Sequence, residues 1–263
     1  MIATNRSRHG LTLLELIIVL VILVGLAGIV IPLLPDVVLR SHAAVGATNT
    51  TEINRIVQTH QRLYQAYPDE LDNLAGTAAP IDYLPGLTVT PVQITKVTLT
   101  APYVLALKNA GIINLAELHP TRTALTTANG SPTFKPYVGT GVQPVADGLP
   151  VAQIDETAVE TTTRLVRDKT GINGDVYLVF GFGKRSSAIG TVIGDAPVHF
   201  GKLSSDRAGS MYCRYGLVFR VVRGGATPTA LTEAQFVGTV SFQDTGIVAT
   251  DGQLADYYDN MGK

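Results

Sequence analysis

The pattern of hydrophobic and polar positions divides this chain of 263 residues into a short apolar part and a long mixed part. Residues 1–10 are polar and carry two arginines, and the stretch from Leu11 to Leu34 then contains a single charged side chain. As a helix, that stretch would span roughly 36 Å, which is enough to cross the hydrocarbon core of a bilayer. Because the arginines precede it, the N-terminus is predicted to stay in the cytoplasm while the rest is exported.

A second helical pattern follows the apolar stretch. Pro32 and Pro35 predict a kink or a short unwound stretch near residues 28–36, because proline lacks the N–H and clashes with the preceding turn. Beyond it, apolar and aromatic side chains recur at helical spacing up to about residue 67. The predicted stripe comprises Ile53, Ile56, Val57, His60, Leu63, Tyr64 and Tyr67. We interpret His60 as a packed core histidine and not as a ligand.

The rest of the chain mixes helical and strand-like patterns. The predicted middle elements are a short helix over 69–74, a strand within 87–99, a helix over 102–110, an exposed loop over 120–150 and a helix over 157–169. Runs of β-branched and aromatic residues bounded by glycine predict three further strands: Asp175–Phe182, Tyr215–Val222 and Phe236–Phe242. The predicted fold class is therefore α+β. In it, a long N-terminal hydrophobic helix packs on a C-terminal antiparallel sheet, with helices inserted between them.

Composition narrows the function classes. The formal net charge is -1, so no basic surface indicates nucleic-acid binding. Cys213 is the only cysteine, which excludes a disulfide within one chain and a metal site built from cysteines. Glu15 is the charged residue inside the apolar stretch. A carboxylate in a membrane helix is energetically costly and by default indicates a function, which neither an ordinary signal peptide nor a plain signal anchor explains.

The N-terminus resembles the class III signal of type IV pilins and type II secretion pseudopilins. The resemblance rests on Gly10, on the apolar run with Glu15 directly after it, and on Pro32. It implies that a prepilin peptidase cuts between Gly10 and Leu11 and methylates the new N-terminus. Glu15 would then be the fifth mature residue and Pro32 the twenty-second. Leu11 stands where phenylalanine is commonest in the family, and the match covers about residues 5–35.

The resemblance implies three parts: a leader over residues 1–10, a transmembrane and polymerisation helix over 11–35, and a periplasmic or extracellular head over 36–263 that includes the helix to about residue 67. It implies a non-enzymatic subunit of a pseudopilus or type IV pilus, with Leu11, Glu15 and Pro32 serving assembly. The implied location is the bacterial inner membrane before filament assembly. The implied partners are the peptidase, membrane lipid, the inner-membrane assembly platform, and copies of itself and other pilin-like subunits.

A membrane-anchored periplasmic binding protein or enzyme is the alternative. Gly181 to Ser186 invites a phosphate-loop interpretation, but Leu178 stands where that motif needs glycine and Arg185 where it needs serine or threonine. The sequence shows no convergent set of histidine, serine and aspartate, and no cofactor is predicted. Some pseudopilins hold calcium near the C-terminus. A weak calcium site is therefore considered at Asp244, Asp251 and Asp256, although solvated loop acids explain these residues better.

Overall fold

The structure is a computed structural model, and it describes most of the chain outside the two termini and several connecting segments. The described residues are 13–31, 34–75, 93–117, 141–159, 163, 165–166, 174–199, 212, 214–243 and 246–259. Within these ranges lie four helices: α1 (Leu13–Val30), α2 (Leu34–Tyr64), α3 (Ala101–Asn109) and α4 (Thr250–Asp259). The strands are β1 (Leu71–Asp72), β2 (Ile94–Thr98), β3 (Asn114–Glu117), β4 (Gly141–Pro144), β5 (Pro150–Ile154), β6 (Val176–Gly181), β7 (Tyr215–Arg223), β8 (Thr229–Gln243) and β9 (Gly246–Val248).

All nine strands belong to one mixed sheet. Its main order is β4-β3-β1-β6-β7-β8-β9, in which β1 and β3 run parallel and the other neighbours antiparallel. One edge of β6 pairs with β7. The other edge is shared, because β5 pairs along 177–179 and β1 pairs at Gly181. Strand β2 then pairs with β5, so the sheet divides into two branches beside β6.

The sheet buries both of its faces. Successive side chains of a strand point to opposite faces, and β6 shows this clearly. Leu178 and Phe180 enter one apolar cluster together with residues of α2 and α3, whereas Tyr177 and Val179 enter a second cluster. Because both faces are covered, β6 and β7 are nearly continuous apolar runs, which is typical of strands inside a sheet.

The predicted fold class is wrong in its main statement. The sheet is mixed and begins at residue 71, so it is not an antiparallel sheet confined to the C-terminal region. The apolar helix α1 is short, has 18 residues and is exposed, and the helix that contacts the sheet is α2. The prediction failed because segments with weak periodicity, such as β1 and β3, are strands only through their pairing partners.

The short helix predicted over 69–74 is also wrong, since β1 occupies Leu71–Asp72. The carboxylate of Asp69 does not cap a helix. Instead its Oδ1 accepts hydrogen bonds from the backbone N–H groups of Ile113, at 2.8 Å, and Asn114, at 2.7 Å. Glu70 has φ 54°, which is incompatible with a right-handed helix. The Asp69 carboxylate therefore ties this segment to the start of β3.

Other sequence predictions have mixed outcomes. The helix over 102–110 is confirmed by α3, and Gly111 after it adopts φ 91°, as a helix stop requires. The exposed loop predicted over 120–150 is wrong at β4, which pairs with β3, while residues 118–140 lie outside the described ranges. The helix predicted over 157–169 is wrong for most of its described part: one short helical turn covers 156–159, where Asp155 Oδ1 accepts from the Thr157 N–H at 3.0 Å, but 163, 165 and 166 are not helical. Residues 160–162, 164 and 167–173 lie outside the described ranges.

Candidate assembly helix and its attachment to the sheet

Helix α1 exposes apolar side chains on every side. Its sequence is leucine, isoleucine, valine, glycine and alanine apart from Glu15. The large apolar side chains that are exposed on it are Leu13, Leu14, Leu16, Ile17, Ile18, Val19, Leu20, Val21, Ile22, Leu23, Val24 and Leu26. A helix that is apolar all round is normally buried in protein or in lipid. An exposed apolar surface of this extent therefore marks an interaction site.

The structure places one of the four predicted processing and assembly residues. Glu15 lies in the first turn of α1 and is exposed, whereas Gly10, Leu11 and Pro32 lie outside the described residues. The interruption predicted near residues 28–36 is confirmed, because α1 ends at Val30 and α2 begins at Leu34. The N-terminal region is thus two helices with different surroundings.

Helix α2 is amphipathic and is attached to the sheet by its second half. Ile53 and Val57 are fully buried in the cluster formed with β6 and β7, and Ile56 is almost so. Asn54 adds a polar contact, since its Oδ1 accepts a hydrogen bond from Thr239 Oγ1 of β8 at 2.8 Å. Burial of apolar area is the main stabilising term for such a helix, and the polar contact fixes its position along β8.

The first half of α2 approaches α4 closely at Gly46. A Cβ added at this glycine would lie 2.7 Å from Gln253 Oε1 on α4, so a larger residue would displace that side chain. Gln253 is itself buried, and its Nε2 donates to Ser241 Oγ of β8 at 2.7 Å. Glycine at this position therefore allows α2, α4 and β8 to meet around one buried amide.

The C-terminal end of α2 departs from the predicted stripe. Leu63 and Tyr64 are 65% and 53% exposed, because the helix ends at Tyr64 and Gln65 follows with φ 53°. Tyr67 returns to the core, where its ring lies 5.3 Å from that of Phe219. His60 is buried, and its Nδ1 lies 2.9 Å from a backbone carbonyl oxygen. The interpretation of His60 as a packed histidine is therefore confirmed.

A buried carboxyl group was missed at the sequence level. Tyr212 donates its hydroxyl hydrogen bond to Asp72 Oδ2 at 2.6 Å, although the two residues are 140 positions apart. Burial raises the pKa of Asp72 to about 7, while the Tyr212 hydrogen bond and the charges of Arg214 and Arg185 oppose that rise. No spacing in the sequence could reveal this pair. Its only sequence signal is Gly183, whose missing side chain leaves room for the Asp72 carboxylate.

The segment Gly181 to Ser186 comprises the last residue of β6 and the turn that follows it. Its two basic side chains are engaged on the surface, where Lys184 Nζ lies 3.3 Å from Asp195 Oδ2 and Arg185 Nε lies 3.5 Å from Glu70 Oε2. These contacts, with the Asp72 carboxylate against Gly183, account for the motif without a phosphate ligand.

The residues considered for calcium are only partly placed. Asp251 is exposed in the first turn of α4 and Asp256 lies further along that helix, while Asp244 lies outside the described residues. The part of the chain that the structure describes contains no group of three or more histidine, cysteine, aspartate or glutamate side chains that could hold a metal ion. The calcium site at Asp244, Asp251 and Asp256 stays a prediction.

Two further results bear on the function of the chain. Among the described helices, none combines the length and the hydropathy needed to cross a membrane. No family model, curated protein or solved structure matches the chain. The features of α1 and of the residues before it therefore carry the inference about function.

Proposed function

We propose that this chain is a structural subunit of a type II secretion-like pseudopilus or a type IV pilus. It is processed by a prepilin peptidase and assembled through its N-terminal helix. The observation that supports the proposal is α1, which is apolar on every side and exposed along its described length. In the sequence this helix follows the Gly10–Leu11 junction, and Glu15 stands at the fifth position after it.

Other copies of the chain are the proposed occupants of the α1 surface. Because the helix is apolar all round, one flat partner would leave much of its surface in water, whereas a bundle of identical helices covers every side. Glu15 supports this choice. Cleavage after Gly10 would create an ammonium group at Leu11, and the new N-terminus of one copy could pair with the Glu15 carboxylate of the next.

Before assembly the whole apolar stretch from Leu11 to Leu34, of which α1 is the main described part, would be held by membrane lipid. The arginines before the apolar stretch favour a cytoplasmic N-terminus, which leaves the sheet domain on the periplasmic side of a bacterial inner membrane. In this proposal the inner-membrane assembly platform moves the subunit from lipid into the filament. The long amphipathic helix α2, anchored on β8 and α4, links α1 to the sheet.

The N-terminus of the mature protein tests the proposal. The full chain is produced with and without a prepilin peptidase, and the first residue is identified by mass spectrometry. We expect N-methyl-leucine at Leu11 only when the peptidase is present. Gly10→Val should remain uncut, whereas the matched variant Gly25→Val in α1, where an added Cβ meets nothing within 4 Å, should be processed normally.

Two other results would contradict the proposal. A mature chain that begins near residue 48 would indicate a conventional signal peptide. A chain that keeps residues 1–10 in the presence of an active peptidase would favour the alternative, a membrane-anchored periplasmic binding protein or enzyme with a signal anchor.

A further inference from the structure

Ser187 and His60 lie 127 positions apart, yet their side chains meet beside the C-terminal end of α2. Ser187 Oγ lies 3.5 Å from His60 Nε2, and His60 Nδ1 lies 2.9 Å from the carbonyl oxygen of Ala66. His60 is buried, whereas Ser187 is exposed on the turn that follows β6. A hydroxyl that solvent can reach is thus in contact with an imidazole that is held from behind.

The partners of the imidazole fix where its protons lie. A carbonyl oxygen only accepts hydrogen bonds, so in the neutral ring the proton is on Nδ1 and the lone pair of Nε2 faces Ser187. The Ser187 hydroxyl is then the donor toward Nε2. This is the relation between a nucleophile, a base and an orienting group that activates serine in acyl-transfer enzymes, with a backbone carbonyl in the orienting position.

The backbone around Ser187 holds the hydroxyl in place. Asp69 donates its N–H to Ser187 Oγ at 2.8 Å, and Ser187 donates its own N–H to the Asp69 carbonyl oxygen at 3.0 Å. Thr191 Oγ1 donates to the Ser187 carbonyl oxygen at 2.8 Å. The Asp69 N–H occupies one lone pair of Oγ and so fixes the position of the hydroxyl oxygen beside His60.

From this geometry we infer that Ser187 is a nucleophile toward small activated carboxylic esters, with His60 as its general base. In the first step Ser187 Oγ bonds to the acyl carbon and its proton moves to His60 Nε2. The ester C–O bond breaks, and the leaving alkoxide takes that proton. Water then attacks the acyl-serine, His60 takes a proton from the water, and Ser187 leaves with it as the hydroxyl.

The substrate class follows from the exposure of Ser187. The hydroxyl lies on a surface turn, so an acyl group that needs little enclosure, such as an acetyl ester with a good leaving group, fits it best. The activity does not rest on the proposed filament function. It supplies the convergent histidine and serine that a membrane-anchored enzyme would need and that the sequence alone did not show.

The full-length protein in detergent micelles tests this inference. It is incubated with a fluorophosphonate probe, and the labelled serine is identified by peptide mass spectrometry; hydrolysis of p-nitrophenyl acetate is measured in parallel. We expect label on Ser187, none in Ser187→Ala, and unchanged labelling in the control Ser41→Ala, which removes an exposed serine of α2. His60→Gln should lower the ester hydrolysis rate by about 100-fold or more, the size of a general-base contribution.

One labelling result would contradict the inference about Ser187. If Ser187 of the wild-type chain is labelled no faster than Ser41, the contact with His60 is only a tie between the turn and α2, and the inference is wrong. That comparison uses the unmodified protein, so it holds even if His60→Gln fails to fold. Neither outcome changes the N-terminal cleavage that tests the filament proposal.

Discussion

The two N-terminal helices differ in their contacts: α1 is exposed, whereas α2 packs on the sheet. Helix α1 is the more apolar, and its described side chains are exposed; helix α2 alternates apolar and polar residues, and it is α2 that packs on β8 and α4. Apolar content alone therefore does not decide what a segment packs against. The periodicity of the apolar residues decides it, because only a helix with one apolar face can cover a sheet and keep its other face in water.

This difference between α1 and α2 predicts different roles in filament assembly and in the stability of the sheet domain. The sheet has an apolar cluster on each face, and the first of them includes residues of α2 and α3. Among the described side chains, α1 contributes no residue to either cluster. If α1 assembles filaments, as proposed, changes in α1 should affect filament formation and leave the sheet domain intact. Changes at the buried positions of α2 should instead destabilise the sheet domain.

The largest expected effect is on assembly and concerns Glu15→Val. If an N-terminal ammonium pairs with this carboxylate between copies, the substitution leaves a charge without its partner, which typically costs about 3–5 kcal/mol at a buried contact. We expect filaments to be lost, with normal subunit levels and unchanged unfolding of the sheet domain. Electron microscopy of cells and immunoblots of membrane fractions measure this.

The matched control for Glu15→Val is Leu16→Val on the same helix, which keeps the apolar surface and should assemble normally. Normal filaments from Glu15→Val at normal subunit levels would mean that the carboxyl group is not an assembly contact. Loss of filaments in both variants would mean that any change in α1 disturbs packing.

The next effect is on folding and compares two isoleucines. Ile53 in α2 is fully buried, and Ile53→Ala should lower the free energy of unfolding by roughly 2–5 kcal/mol, the usual range for such a cavity. Ile22 in α1 is 56% exposed, and Ile22→Ala should change it by less than about 0.5 kcal/mol. Denaturant unfolding in detergent micelles, followed by tyrosine absorbance, distinguishes them. Equal losses would show that α1 belongs to the core after all.

The sequence predicted the elements whose signal is local. Prolines predicted the break between the two N-terminal helices. A proline at the start of α3 and Gly111 after it predicted that helix, and long apolar runs predicted β6 and β7. These patterns depend on backbone sterics and on burial of both sheet faces, which any neighbour would satisfy.

The sequence could not predict what long-range pairing decides. Leu71–Asp72 is a strand because β3 and β6 lie beside it, and its two residues carry no alternation of their own. The same holds for the site: the contacts between Asp72 and Tyr212, and between His60 and Ser187, join residues more than a hundred positions apart. His60 was predicted to be packed, because it lies on an apolar stripe. Its neighbours in the sequence did not indicate that it contacts Ser187.

A smaller effect is expected at Gly183. An added Cβ there would collide with the buried Asp72 carboxylate, so Gly183→Ala should force the strand or the turn to shift and cost about 1–3 kcal/mol. Gly194 is the matched control, because a Cβ on it meets nothing within 4 Å. Thermal unfolding of both variants measures the difference. A Gly183→Ala protein as stable as Gly194→Ala would show that the turn relaxes freely around Asp72.

The last effect is a dependence on pH and concerns Asp72. Burial raises its pKa from 3.8 to about 7, so between these values the folded state holds a proton that the unfolded state has released. Its contribution to stability is therefore fully present below about pH 4 and falls as pH rises toward 7, by about 1.4 kcal/mol per pH unit. Above that range the ionised carboxylate lies in the core and the contribution stays low.

Asp72→Asn removes this titration and keeps an oxygen that can accept the Tyr212 hydrogen bond. We expect the stability of the wild-type chain to fall relative to that of Asp72→Asn between pH 4 and pH 7, with the exposed Asp251→Asn following the wild type throughout. Denaturant unfolding at several pH values measures both. If the wild type and Asp72→Asn change in parallel, the carboxylate is already ionised at low pH. In that case the charges of Arg214 and Arg185, which lower this pKa, outweigh the effect of burial.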